Sequence, residues 1–407
     1  MSVIADFIAK PSVQRAFWTL LRSYSPVVVF GKKVFITSYD SVIETLKRDT
    51  DFTIAEINGK RMEDVHLAFF LGMDRGEQHD RELALMQQVV KREDLILIQI
   101  FVKKKSQELI DKSQKNKRID VVNEYARIVP LYLLEAYFGV PIEDENKMKE
   151  WMRILFHHLF LNLTNDPAIQ KDASKAADEL KLYIDKLIQD RKQKVLNGDQ
   201  LDDTILNRLL LLQKESAWIS DDVIRRNVCG FIIGAVDTTN KACTLAMDVL
   251  LNDSVSLKGA EQAAIANDIP LIGKYMLEAL RFNPHNPIVI RYNKNASIIS
   301  HKGKNYKVPE NATLYIGLIS AMWDKTAYEN PHQINLSRKV EYFHFSSGLH
   351  ACAGKYINMV QIPELMVGLL RLKNLRRAPG KEGQILFDGP FPNRFILEFD
   401  DMSKQVL

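Results

Sequence analysis

One segment near the middle of the chain constrains the fold most: SDDVIRRNVCGFIIGAVDTTNKACTLAMDVLL, which begins at Ser220. A serine followed by two aspartates is typical of a helix N-terminus, and about 30 residues without proline follow. At 1.5 Å per residue such a helix is about 45 Å long, enough to cross a whole domain. Its centre is apolar except for Asp237, Thr238 and Thr239, which are weak helix formers. Because threonine hydroxyls can bond to the preceding turn, we expect a local bulge there.

The remainder of the chain predicts more helix and a small β portion. The helical pattern extends over about 75–284, with another helix at about 354–372. PVVVFGKKVFITSYD predicts a hairpin and begins a β-rich portion at about 26–60; short strands return at about 285–320 and near the C-terminus. No repeat or linker divides the sequence. We therefore predict one mostly α domain over residues 1–407.

Composition and charge exclude several classes of protein. With 46% hydrophobic and 26% charged residues, the chain resembles an ordinary globular protein. A net charge of +4 is too weak to indicate a nucleic-acid partner. Three irregularly spaced cysteines speak against a disulfide framework and for a reducing compartment. The N-terminal residues have neither the apolar core of a signal peptide nor the length of a membrane span, so we expect a cytoplasmic protein.

A cysteine lies in the glycine-containing segment FHFSSGLHACAGKYIN, residues 343–358. Cys352 directly precedes a predicted helix, where backbone N–H groups and the helix dipole lower a thiol pKa from about 8.5. Gly348 and Gly354 allow the backbone to approach a large flat group, and Phe345 supplies an apolar ring beside the sulfur. These features suit a thiolate ligand to heme iron. A buried structural cysteine and a nucleophile paired with histidine are the alternatives.

The spacing within this segment is specific to one family. Phe345, Gly348, His350, Cys352 and Gly354 match the signature Phe-x-x-Gly-x-(Arg/His)-x-Cys-x-Gly, so the chain resembles the cytochromes P450. The resemblance implies the cytochrome P450 fold, with heme b (iron protoporphyrin IX) as the cofactor. It also implies that Cys352 is the axial iron ligand and that His350 donates to a heme propionate.

A second motif lies about 70 residues upstream. In KYMLEALRFNP, Glu278 and Arg281 share one helical face, and alone they would be a surface pair worth about 0–1 kcal/mol. The resemblance implies instead a buried Glu-x-x-Arg network, completed by Arg338, that holds the heme-side loop.

Two further positions match propionate-binding residues of the family. Arg291 follows the Glu-x-x-Arg helix. A surface arginine on an edge strand is the alternative, and it is the weaker one beside these motifs. DRGEQHDRE resembles a segment that makes His79 a second donor. Leu83 replaces the usual arginine of that segment, so one contact is missing or is made by Arg81.

The motif GAVDTT belongs to the long central helix. The resemblance implies that Thr238 hydrogen-bonds bound dioxygen and that Asp237 feeds protons to it. Ala235 stands where glycine is usual, and an incidental polar patch is the alternative. The predicted substrate pocket is apolar and consists of Phe69, Phe70, Ile232, Ile233, Ala235, Ile288, Val289 and Phe391.

The resemblance implies a heme-thiolate monooxygenase that inserts one oxygen atom into an apolar molecule such as a fatty acid, terpenoid or polyketide. Electrons would come from NAD(P)H through a reductase and an external ferredoxin or flavodoxin. Residues 101–118 are lysine-rich and read as a docking surface, together with Lys355, or as a solvated helix face. A peroxide-driven hydroxylase, a rearranging heme enzyme and a heme sensor without turnover are the alternatives.

Overall fold

Helices dominate the described part of the chain, which in the computed structural model is residues 11–400. The α-helices are α1 (Pro11–Tyr24), α2 (Tyr39–Lys47), α3 (Lys60–Asp64), α4 (Glu77–Val89), α5 (Leu95–Ser113), α6 (Ile128–Leu133), α7 (Glu145–Phe156), α8 (Pro167–Leu196), α9 (Ile205–Glu215), α10 (Asp221–Leu250), α11 (Ser254–Ile265), α12 (Ile269–Phe282), α13 (Leu318–Ala321) and α14 (Lys355–Leu370). Short π-helical turns lie at Ala55–Gly59, Val121–Ala126, Leu134–Phe138 and His157–Leu161.

The strands are short and form four small sheets in the described residues. They are β1 (Val27–Phe30), β2 (Lys33–Ile36), β3 (Phe52–Thr53), β4 (Arg118–Asp120), β5 (Ile288–Asn293), β6 (Ser297–His301), β7 (Lys304–Val308), β8 (Ala312–Gly317), β9 (Lys373–Arg377), β10 (Leu386–Asp388), β11 (Phe391–Arg394) and β12 (Ile396–Asp400). The largest sheet has the order β1-β2-β8-β5-β3, and its predicted hairpin turns at Gly31, which has φ +58°.

Helix α10 is the element around which the other helices pack. Its first turn is capped by Ser220, whose hydroxyl accepts a hydrogen bond from the N–H of Val223 at 3.3 Å. It contacts α7, α8, α12 and α14, and most of its side chains are buried. The expected N-terminus and length are therefore found.

The expected bulge at the threonines of α10 is absent, because the helix stays α-helical from end to end. The hydroxyls of Thr238 and Thr239 donate to the carbonyls of Gly234 and Ala235, one turn back. A carbonyl oxygen has two lone pairs and can accept both the hydroxyl and the helical N–H. The threonines thus bond to the ladder without opening it.

Two buried apolar clusters stabilise the described residues. The larger surrounds α10, and the smaller packs α1 and α2 against the largest sheet. Pro363 lies inside α14, and the helix continues past it to Leu370. No helix among residues 11–400 is long and apolar enough to cross a membrane.

Candidate heme and oxygen site

One face of α10 is accessible in the middle of an otherwise buried helix. Phe231, Gly234, Ala235, Thr238 and Lys241 are partly accessible, while the residues between them are buried. Steps of three and four residues place all five side chains on the same face. A methyl group added to Gly234 would meet nothing within 4 Å. This face therefore lines an internal space.

The loop before Cys352 contains a left-handed backbone turn at Gly348, a conformation that favours glycine. Gly348 has φ +76°, and a Cβ there would lie 2.2 Å from the carbonyl oxygen of Leu46 at the end of α2. Beyond this turn the N–H of Cys352 donates to the carbonyl of Phe345 at 2.9 Å. Because Phe345 is buried, the loop is anchored on both sides of the turn.

The thiol of Cys352 opens onto enclosed space. Its side chain is accessible to a water-sized probe, whereas Cys229 and Cys243 are buried. Nevertheless burial raises the pKa of the Cys352 thiol, while the N–H of Gly354 and the charge of Lys355 partly offset the rise. The two observations agree if the accessible surface belongs to an internal cavity. The expectation of a lowered pKa is wrong for the free thiol, because desolvation outweighs the helix N-terminus.

Two histidines near this loop have ring nitrogens without partners, and a buried arginine beside them has no carboxylate. Neither ring nitrogen of His350 has a partner, and Nε2 of His79 has none. The two rings lie 6.0 Å apart between centroids. Arg291 is 3% exposed and donates to the carbonyl of its neighbour Ile290 at 2.9 Å, and no described carboxylate forms an ion pair with it.

These unsatisfied donors fit the carboxylates of a heme. Burial, followed by the charges of Arg291 and His79, lowers the pKa of His350 to about 3, and burial lowers that of Arg291 to about 10. Buried donors without partners are costly, and an anion relieves that cost. Two propionates would supply the missing acceptors, and Cys352 would supply the thiolate. The residues present therefore fit the group that the sequence implies.

Helix α4 places only one of its two candidate donors inward. His79 is 1% exposed, and its Nδ1 lies 2.8 Å from Oδ1 of Asp80. Arg81 is on the surface, where it pairs with Glu77 at 3.3 Å and lies over the ring of Trp218. Of the two alternatives for the position of Leu83, a contact made by Arg81 is wrong, since Arg81 lies on another face of the helix. The alternative of a missing contact stays a prediction.

Asp237 lies off the accessible face, although it is next to Thr238. Its side chain is fully buried, and Nε of Arg127 lies 3.0 Å from Oδ1. Arg153 approaches the same oxygen at 3.7 Å, and Nη2 of Arg127 donates to Oδ2 at 3.3 Å. Burial raises the pKa of Asp237, and the two arginines oppose that rise. No sequence pattern signals these two arginines, because they come from distant segments.

The Glu-x-x-Arg network is buried as the resemblance implies. Glu278 and Arg281 are both 0% exposed and meet at 3.0 Å, and Nε of Arg338 lies 3.1 Å from the other oxygen of Glu278. Arg281 also donates to the carbonyls of Pro331 and Gln333. Burial raises the pKa of Glu278, but the hydrogen bonds from Arg281 and Tyr342 hold it below its ordinary value.

The candidate pocket residues separate into cavity and core positions. Ile288, Val289 and Ala235 are partly accessible. Ile232 and Ile233 are 0% and 1% exposed and belong to the larger core cluster, so assigning them to the pocket is wrong. At 100° per residue they turn away from the accessible face.

The aromatic candidates are also core positions: Phe69, Phe70 and Phe391 are 1%, 1% and 3% exposed. The ring of Phe69 packs on Gly230, where an added Cβ would lie 2.5 Å from it. Phe70 lies 6.1 Å from the ring of Phe231, and Phe391 lies 6.3 Å from that of Phe156.

Sequence reasoning missed two accessible residues of this cavity: Phe231 and Lys241. Phe231 and Lys241 lie seven residues before and three residues after Thr238, so helical periodicity alone could have identified them.

Comparisons with known proteins agree with this geometry. A sequence model described as cytochrome P450 matches residues 12–389. A protein of Bacillus subtilis named cytochrome P450 is 22% identical over 90% of this chain and 87% of its own length. Polyketide biosynthesis cytochrome P450 PksS, from the same organism, is 21% identical over 68% of this chain and 63% of its length.

The fold also matches solved structures. The crystal structure of P450BioI in complex with an acyl carrier protein ligated to hexadec-9Z-enoic acid has a TM-score of 0.82 and 19% identity, covering 98% of this chain and all of that one. The chain belongs to the cytochrome P450 family, whose members are heme-thiolate monooxygenases that act on apolar substrates with electrons from a redox partner.

Proposed function

We propose that this monooxygenase holds heme b between the Cys352 loop and the accessible face of α10. Cys352 is the axial ligand, and His79, His350 and Arg291 bind the propionates. The observation that carries this assignment is the group of buried, unpartnered donors beside a thiol that opens onto the same enclosed space. When bound, the heme supplies the activation of dioxygen.

The remaining roles follow from where the side chains lie. Thr238 is on the accessible face, so its hydroxyl oxygen can accept a hydrogen bond from a water molecule and orient it, while its proton is donated to the carbonyl of Gly234. Asp237, held by Arg127 and Arg153, relays protons from the adjoining, buried face of α10. Glu278, Arg281 and Arg338 hold the heme-side loop. The apolar residues of the cavity exclude water and bind the substrate.

The substrate is an apolar acid, terpenoid or polyketide-like molecule. Ile288, Val289, Ala235 and Phe231 are partly accessible and supply an apolar lining. The polyketide relative and the structure with an acyl carrier protein support this range of substrates.

An exposed face of α5 is the proposed surface for the electron donor, a ferredoxin or flavodoxin reduced from NAD(P)H. It presents three aliphatic side chains followed by two lysines: Ile96, Leu97, Ile100, Lys103 and Lys104. Helix α5 packs along α14, which begins three residues after Cys352. An acidic protein would complement the lysines, and the aliphatic side chains would pack at the centre. We further propose that residues 1–407 form one catalytic domain and act in the cytoplasm.

Turnover with different electron sources tests the proposal. Purified holoprotein is first titrated with fatty acids, terpenoids and macrocyclic polyketides, and a low-to-high-spin shift identifies a ligand. That ligand is then incubated with a surrogate ferredoxin system, with peroxide, or with neither. Product that requires the ferredoxin system supports the proposal. Product with peroxide alone identifies a peroxygenase, and no product under any condition identifies a heme protein without turnover.

A variant separates the role of Thr238 from general damage. Thr238→Ala should keep NAD(P)H consumption and divert it to hydrogen peroxide, because the variant has no hydroxyl to orient the proton donor. Unchanged coupling of electrons to product would exclude this role.

A further inference from the structure

Lys241 is an enclosed lysine that no role described so far uses. It lies one turn beyond Thr238 on the accessible face of α10, about 4.5 Å farther along the axis. No hydrogen bond or ion pair joins it to any described residue. A lysine side chain normally reaches water or a carboxylate, so this placement needs a reason.

The surroundings of Lys241 are enclosed, and no carboxylate of residues 11–400 forms an ion pair with it. Burial lowers the pKa of Lys241 to about 8. His285, in the loop after α12, is near enough for the charge of Lys241 to act on it; its pKa is lowered to about 3 by burial first and then by the charges of His344 and Lys241. His285 is therefore neutral at pH 7, and its Nδ1 has no partner.

Charged groups elsewhere on α10 form no ion pair with Lys241 in the described residues. Asp237 lies one turn before Lys241, four residues away. Its carboxylate is engaged by Arg127 and Arg153 instead. Asp248 lies two turns further and pairs with Arg377 at 2.8 Å. On α14, Gln361 is buried and cannot titrate. Among the described residues, Lys241 is thus the ionisable group that shares the accessible face with Thr238.

We propose that Lys241 is the residue that delivers protons directly to the oxygen site, with Thr238 orienting the water that carries them. The proposal rests on the monooxygenase function. Insertion of one oxygen atom consumes one dioxygen, two electrons from the redox partner and two protons, and yields hydroxylated product and one water. In each delivery an N–H bond of the Lys241 ammonium breaks and an O–H bond of the cavity water forms, while another O–H bond of that water breaks and its proton goes to the oxygen atom that leaves as water. The neutral amine then regains its proton from solvent.

The chemistry of the group fits this role. A proton donor works best when its pKa is near the working pH, and burial is the usual way in which a lysine reaches that range. Asp237 then acts at one remove, from its buried position beside two arginines, while Lys241 lies on the accessible face itself. His285 cannot replace it, because a neutral imidazole of such low pKa does not hold a second proton.

The first test measures hydrogen peroxide and product per NAD(P)H consumed, with a surrogate ferredoxin system and a ligand that shifts the spin state. In Lys241→Met, coupling to product should fall about tenfold or more. In the wild type, coupling should fall as pH rises through about 8, since the ammonium is lost. Lys241→Arg keeps the positive charge, but a guanidinium does not release its proton near pH 8. Coupling in this variant should therefore be low and independent of pH in this range. Lys274→Met, an exposed lysine of α12, is the control and should match the wild type.

If Lys241→Met has the same coupling and the same pH profile as the wild type, the inference is overturned. A second measurement does not depend on turnover: NMR of lysine side chains in isotope-labelled ferric holoprotein. One amine should titrate near pH 8, and its signal should be missing in Lys241→Met. If every lysine titrates near the ordinary value of about 10.4, the inference is wrong. If the wild type consumes no NAD(P)H yet one lysine titrates near 8, the monooxygenase proposal is what fails.

Discussion

A thiol in an enclosed cavity stays protonated in the absence of a metal ion, because burial disfavours the charged thiolate. Cys352 illustrates this, because burial raises its pKa despite the helix that follows. A coordinating metal ion deprotonates a thiol outright, so the free and bound forms differ in charge at the same position. The nearby side chains of His79, His350 and Arg291 are the reverse case. They are buried hydrogen-bond donors, and binding of an anion would supply their acceptors.

Replacing Cys352 by serine should abolish the thiolate-type absorption of the reduced carbon monoxide complex, because the sulfur that gives the spectrum is removed. The measurement is the difference spectrum of purified protein. Cys229→Ser is the matched control; this buried cysteine lies on α10, off the accessible face, and the band should remain. Persistence of the band in Cys352→Ser would disprove the ligand assignment.

Asp237→Asn should destabilise the protein by about 3–5 kcal/mol, because it leaves Arg127 and Arg153 without their carboxylate in the interior. Denaturant midpoints at equal heme content measure the loss. Asp248→Asn tests a carboxylate of the same helix that is about a quarter exposed, and it should cost about 0–1 kcal/mol. Equal midpoints for the two variants would contradict a buried ion pair at Asp237.

Helix α10 divides its polar residues between two faces. The accessible face carries Thr238 and Lys241, and the next face carries Asp237 against two arginines. One rigid helix thereby holds the oxygen-side hydroxyl and the buried ion pair in fixed relation. The loop before α14 has a comparable function, because it presents Cys352 from a turn that a single glycine allows.

Gly348→Ala should lower both heme content and thermal stability. Its φ of +76° and the carbonyl of Leu46, 2.2 Å from the added Cβ, force the loop to shift. Gly303 is the matched control, with φ +77° and nothing within 4 Å. Gly303→Ala should therefore show only the left-handed penalty of about 1–2 kcal/mol and normal heme content. If both variants bind heme normally, the close approach at Leu46 does not determine the loop.

Across the molecule, the Glu278 network joins α12 to the segment that leads to the Cys352 loop. The pKa of Glu278 is below the ordinary value, so the stability it contributes is present above the unfolded pKa of about 4.3 and is lost as pH falls through the folded value. Glu278→Gln should lower the unfolding free energy at pH 7 by about 3–5 kcal/mol, with the deficit shrinking in acid. Unfolding curves at several pH values measure this, and a deficit that grows in acid would contradict it.

Electron entry at the proposed α5 face is also a property of the whole molecule. Reversing charge in Lys103→Glu/Lys104→Glu should slow reduction by an acidic ferredoxin about tenfold at low salt and converge with the wild type at high salt. Stopped-flow reduction measures the rate. Lys171→Glu/Lys175→Glu, exposed on α8, should leave the rate unchanged. Salt-independent reduction of the wild type would exclude steering by these lysines.

Local sequence patterns were sufficient to predict some elements of the structure and insufficient for others. The cap and length of α10 and the hairpin at Gly31 depend on neighbouring residues, so their sequences predicted them. The free-thiol pKa of Cys352, the absence of a bulge at Thr238 and the core positions of Ile232 and Ile233 depend on what surrounds each residue. Burial and partner choice are set by segments far apart in the chain.

The amino-acid sequence by itself determined the family, the long central helix and which cysteine is the candidate iron ligand, because each depends on a local sequence pattern. Only the tertiary structure decided which way those residues face. It brought Arg127 and Arg153 to Asp237, left the donors of His350 without acceptors, and enclosed Lys241 beside Thr238. The physical reason is that solvation and charge pairing are properties of the packed interior, which no local pattern contains.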